Sequence, residues 1–108
     1  FIDLENPSRI SFVTGNRIPE KELSIDHVIP WSYLFSDDLW NLVYVEKSEN
    51  SRKNNRLPTR KIISNLEKRN KRLMDKFVKN GIQNKHSDEL RLSIENDLVK
   101  KYWIGFRG

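Results

Sequence analysis

The stretch SIDHVIPWSYLF, residues 24–35, places two titratable side chains, Asp26 and His27, between Ile25 and the apolar pair Val28-Ile29, and stops the run at Pro30. A strand excludes adjacent polar side chains unless they are partnered, because burying them unpaired costs several kcal/mol. The pair therefore asks for a chemical use. Upstream, RISFVTGNRIPEKELSIDHVIP (residues 9–30) predicts two short extended runs, with Thr14-Gly15-Asn16 as the turn between them. Downstream, WSYLFSDDLW (residues 31–40) predicts a loop, with Ser36, Asp37 and Asp38 as a cap or turn. Trp31, Tyr33, Phe35 and Trp40 read as loop anchors rather than as base-stacking platforms. NLVYV, residues 41–45, predicts a second short strand opened by Asn41.

The period then changes. KSENSRKNNR predicts a polar helix with Ser48 as its N-cap and Pro58 closing the segment. Thr59 caps a long helix whose apolar stripe runs Ile62, Ile63, Leu66, Leu73, Met74, Phe77, Val78, interrupted at Asn70 and stopped by Gly81. A last helix is expected from near Ser87, with Leu90, Ile94, Leu98 and Tyr102 on one face and Trp103, Ile104 and Phe106 as an apolar tail. Strands and helices in this order predict an α+β fold.

The bulk properties narrow the function. The 108 residues suit a single domain, residues 1–108, with 36% hydrophobic and 32% charged side chains. Phe1 at the start points to a piece of a longer protein. The absence of cysteine removes disulfides, thiolate zinc knuckles and cysteine nucleophiles together. No apolar run approaches the roughly 18 residues of a membrane span, and no signal-peptide pattern is present, so a cytoplasmic setting is expected. Charge is concentrated: residues 46–80 carry twelve basic and four acidic side chains, whereas residues 1–45 carry three and seven. A basic block of this size suits a polyanion, since each cation that meets a phosphate releases a counterion.

Taken in order, Asp26-His27, Asn41, Asn50 and Asn54 outline a site for one divalent cation where a hairpin meets a short helix. Histidine suits the removal of a proton from water. A hard cation such as Mg²⁺ takes oxygen ligands and keeps several waters, so one carboxylate with one or two amide oxygens is enough. Asp26 and Asn50 supply such oxygens, with Asn54 as a further candidate. Asn41 could fix the loop or orient the imidazole. Because neighbours in a strand point to opposite faces, a bulge or the strand end near Pro30 is expected to re-aim Asp26 or His27. Lys47, Arg52, Lys53, Arg56, Arg60 and Lys61 are candidates for phosphate contact, led by Arg52 and Lys53.

IDHVIP, LWNLVYV and KSENSRKNNRLP together resemble the HNH (ββα-metal) nuclease motif, in a cysteine-free form similar to the HNH domain of RNA-guided CRISPR effector nucleases. The resemblance covers about residues 10–58 and leaves residues 59–108 as a helical extension without a recognised motif. It implies a ββα-metal core with flanking C-terminal helices. By the same resemblance His27 is the general base, Asp26 and Asn50 are metal ligands, Asn54 stands where some members have a further ligand, and Asn41 is a positioning residue grouped with the catalytic set. SFVTGNRI resembles the family's lead-in, where a cysteine knuckle often sits; here no structural zinc is expected. The implied activity is metal-dependent hydrolysis of DNA, with RNA left open as a substrate. Mg²⁺, Mn²⁺ or another divalent ion would be the cofactor, and a homodimer or other domains of a longer chain the partners, in a bacterial or phage-like context. Two other readings stand beside it: a non-catalytic nucleic-acid-binding module on the same scaffold, and an accessory nuclease domain of a restriction or phage-defence enzyme.

Overall fold

The computed structural model describes residues 1–53 and 56–107, with Lys53 described in its backbone alone. In chain order the elements are α1 (Ile2–Glu5), β1 (Leu23–His27), α2 (Trp31–Leu34), β2 (Leu42–Glu46), α3 (Lys47–Lys53), α4 (Arg60–Lys79), α5 (Lys85–Glu95) and α6 (Leu98–Arg107). The strands pair antiparallel in an unbroken register from Leu23↔Glu46 to His27↔Leu42. β2 runs straight into α3, which packs back on both strands. This is an α+β fold with a ββα unit, and the C-terminal helices complete its core.

The first extended run is not a strand. Ser11 lies buried, and its hydroxyl accepts from the amides of Val13 and Thr14 at 3.2 and 3.1 Å. A side-chain acceptor that captures its own following amides competes with a sheet ladder. The chain therefore tightens into a knuckle closed by the Ile10↔Arg17 bridge, with Gly15 at φ 76. Thr14-Gly15-Asn16 does provide the turn, and Phe12 donates its amide to Tyr44 O at 2.9 Å, which docks the knuckle on β2.

Other boundaries also differ from expectation. Asn41 does not open β2; it ends a short 3-10 turn, Leu39–Asn41, and the strand begins at Leu42. Ser48 lies inside α3, because the helix starts at Lys47 without an intervening loop. The expected last helix is two helices, broken at Asn96-Asp97, where Asp97 takes φ 55. Asn and Asp visit the left-handed region more readily than other residues with a side chain. Trp103 and Phe106 of the expected tail do pack on the core, but as part of α6, while Ile104 is exposed. Thr59 caps α4 as expected, its hydroxyl accepting from Ile62 N at 3.3 Å. Gly81 follows α4 at φ 64, and the Ile82 and Gly81 amides reach back to Phe77 O and Val78 O in a Schellman closure.

One core unites the halves. Val28, Ile29, Leu39, Trp40, Val43 and Val45 meet Ile63, Leu66, Leu73, Phe77, Leu90, Val99 and Trp103. Asn70, which breaks the apolar stripe of α4, is buried and donates to Trp40 O at 2.9 Å. Beside it, buried Arg69 donates to Leu39 O at 3.0 Å, to Leu42 O, and to Asn70 Oδ1 at 3.0 Å. Burial pushes this guanidinium down to about 10, against the opposing pull of Glu5. Arg69 and Asn70 thus satisfy three consecutive-turn carbonyls that would otherwise be sealed without donors.

Replacing Arg69 by Ala strands the Leu39 and Leu42 carbonyls, each at a cost of roughly 1–3 kcal/mol. Urea unfolding followed by circular dichroism is expected to show a loss of about 3 kcal/mol or more. Arg91→Ala, which removes only an exposed pair with Asp88, is expected to stay within about 0.5 kcal/mol of the parent.

Candidate active site

Strand alternation sends Ser24 and Asp26 to one side of β1 and His27 to the other. No bulge intervenes, contrary to one of the two expected devices; β1 ends at His27 itself. Asp26 is 9% exposed. It borders a cleft of about 280 Å³ together with Phe12, Val28, Glu49, Arg52, Arg56 and Ile62. The cleft therefore combines an apolar floor with two carboxylates and two guanidiniums. Asn50, one helical position beyond Glu49, donates Nδ2 to Ser24 Oγ at 2.9 Å. That bond fixes the amide beside the same strand face, one side-chain repeat or about 7 Å along β1 from Asp26.

His27 closes the other side. Its Nε2 lies 2.7 Å from Asp37 Oδ1. A carboxylate at this distance accepts from an Nε2–H and so fixes the orientation of the ring. Asp37 was expected only as part of a cap or turn. Nothing in its spacing betrays it, since it lies ten positions after His27 and beyond α2. The available signal was its place in a loop that leaves and re-enters the hairpin beside His27.

That loop is closed by Asn41. The side chain is fully buried; Oδ1 accepts from Ile29 N and Nδ2 donates to Ile29 O, both at 2.8 Å. Val28 N also donates to Asn41 O at 3.0 Å. Both ends of the amide are thus committed to one backbone residue. The Asn41 side chain therefore fixes the loop, one of the two uses expected of it.

The basic candidates divide. Arg52 and Arg56 face the cleft, and Arg52 Nη1 lies 3.7 Å from Glu49 Oε1. Arg60 sits over the Trp103 ring at 6.0 Å, on the C-terminal helix side. Lys47 and Lys61 are exposed. Asn54 and the Lys53 side chain lie outside the described residues. Among the described residues, no three His, Asp or Glu side chains gather as a cation cage. Asp26 and Glu49 on the cleft wall and the Asn50 amide beside the same strand are nevertheless oxygen donors of the hard type that a hydrated divalent ion takes, one or two carboxylates being enough. Glu49 is a cleft residue that the sequence reading passed over in favour of its neighbour.

Two antiparallel strands, a loop clamped between them, a helix closing over the hairpin, and Asp-His at the end of the first strand define a ββα-metal nuclease scaffold. Residues 12–59 match the family model described as HNH endonuclease, which is what this segment of the chain is similar to. No curated protein matches the chain in sequence. HNH nucleases generally use a divalent metal ion, and they act on nucleic acid. No described helix is long and apolar enough to cross a membrane.

Asn41→Asp keeps the shape of the clamp but loses the Nδ2 donor and sets a carboxylate against Ile29 O. A loss of about 2–4 kcal/mol is expected in thermal or urea unfolding. Hydrogen exchange at the Ile29 amide is expected to accelerate more than exchange within α4.

Proposed function

We propose that the chain is an endonuclease that hydrolyses phosphodiester bonds in DNA with the help of one divalent cation, most simply Mg²⁺. The observation that carries this reading is the imidazole of His27, held through Nε2 by Asp37 at the end of β1, directly after the cleft residue Asp26. Asp26 and Asn50 would hold the ion, with Glu49 near enough to share it. When bound, the ion supplies positive charge against the phosphate as negative charge grows there.

The remaining chemistry falls to the protein. His27 takes a proton from a water molecule, and the resulting hydroxide attacks phosphorus. The bond from phosphorus to the 3′ oxygen breaks, leaving a 5′ phosphate on the next nucleotide. Asp37 keeps the imidazole from rotating and stabilises its protonated form once the proton has moved. Arg52 and Arg56 offer guanidiniums to the scissile or neighbouring phosphate, contacts that position a strand without reading its sequence. Lys47, Lys61 and Arg60 extend the same cationic path, although Arg60 is also held by Trp103. One such site cuts one strand. A double-strand break would require two copies or two encounters.

Plasmid nicking tests the reading. Supercoiled DNA with Mg²⁺ is expected to relax, and EDTA to stop it. His27→Ala is expected to slow nicking by about 10²- to 10⁴-fold. Asp37→Asn is expected to slow it by roughly 10- to 100-fold without changing metal affinity, because it removes the carboxylate behind the base and not a ligand. Nicking at the full rate in His27→Ala would sink the assignment.

A further inference from the structure

The four aromatic side chains of the 28–41 loop are not used alike. Tyr33 packs on Phe106 with ring centroids 5.0 Å apart, and Trp40 stacks on Tyr102 at 5.9 Å and 5°. These contacts pin both arms of the loop to α6. Trp31 and Phe35 instead face solvent, 48% and 68% exposed. They touch each other edge to face, with centroids 5.0 Å apart at 80°.

Folding does not account for this pair. Phe35 ends α2 in the left-handed region at φ 54, a position that glycine or asparagine fills with least strain. A phenyl ring there is strained in its backbone and buries little in return. Its neighbourhood supplies the missing use. Two residues on, Asp37 holds the proposed base; four residues before Trp31 stands His27 itself. Two residues of extended chain span at most about 7 Å, so Phe35 lies within one or two nucleotides of any phosphate presented to His27. An aromatic face accepts any unpaired base, whereas paired bases keep their faces inside the duplex.

We propose that Trp31 and Phe35 form a stacking platform for an unpaired nucleobase next to the scissile phosphate. The proposal rests on the nuclease reading for its choice of a nucleic-acid strand as occupant. It makes the preferred substrate single-stranded or locally opened DNA, with the loop gripping a base while the cleft grips phosphates. It also revises the expectation for the loop aromatics: Tyr33 and Trp40 are anchors, and Trp31 and Phe35 are contact surface.

Binding in EDTA, where no strand is cut, separates this proposal from the nuclease reading. Trp40 and Trp103 are buried, so Trp31 is the tryptophan placed to report on a ligand at the loop. A thymidine 12-mer is expected to quench tryptophan emission. An abasic strand with the same phosphates is expected to bind weakly and leave emission unchanged. Phe35→Ala is expected to weaken 12-mer binding, read by anisotropy, by roughly 5- to 100-fold. Phe35→Gly, which takes φ 54 without strain, is expected to retain the thermal midpoint and lose the same affinity, so misfolding cannot explain the loss. Val78→Ala, an equally exposed side chain on α4, is expected to change nothing. Equal quenching by ordinary and abasic strands would overturn the platform, as would saturation binding without quenching, which leaves the pair to a protein neighbour. Absence of nicking with the quenching intact would overturn the nuclease reading and leave the platform standing.

Discussion

Everything that places chemistry on this scaffold passes through two hydrogen bonds, those between the Asn41 amide and the backbone of Ile29. A loop of this length has many closed forms, and water competes for every backbone group in it. The clamp selects one form because its four polar atoms are sealed from water and can satisfy only each other. It lies directly behind the end of β1. The loop is thereby returned to the hairpin with the Asp37 carboxylate against the His27 ring. The antiparallel register then fixes which strand face Asp26 occupies. The placements of His27, Asp37 and Asp26 are consequences of one buried amide.

The helical extension is what makes the clamp rigid. Arg69 and Asn70 reach from α4 to the carbonyls of Leu39, Trp40 and Leu42, which flank Asn41 on both sides. Several of the twelve cations in residues 46–80 are therefore not available to a polyanion: Arg69 is interior, and Arg72 pairs with Glu5 at 2.9 Å. Among the described residues, Arg52 and Arg56 at the cleft and the outer cations of α4 stay exposed. A formal charge total overstates the reach of the site and understates its focus.

The parts of the fold legible in the sequence were those set by short-range rules. Asp26-His27 at a strand end, β2, the Thr59 cap, the stripe of α4 and the Gly81 stop follow from alternation, side-chain capping and backbone sterics. The misread parts depend on partners far along the chain or on a side chain competing with the backbone. Ser11 turned an expected strand into a knuckle by capturing two amides. Leu98 and Tyr102 continue the spacing of Leu90 and Ile94, so periodicity ran through the break at Asp97, although Asn96-Asp97 was a signal for it. Asn70 looked like an interruption because its partner, Trp40 O, lies 30 residues away. The same distance problem hid Asp37. For the site, residue types were readable from chemistry, but the choice between Glu49 and Asn50 on the cleft wall required the helix to be set in place.

Trp103 carries a consequence for how the molecule is made. Its indole donates to Pro58 O across 45 residues, with Arg107 over the ring at 4.5 Å. The half that bears the chemistry leaves the ribosome first, yet the groups that lock it, at positions 69, 70 and 103, are synthesised afterwards. During translation the nascent hairpin is an open, uncommitted segment. The lock between Trp103 and Pro58 can therefore close only after α6 has been made.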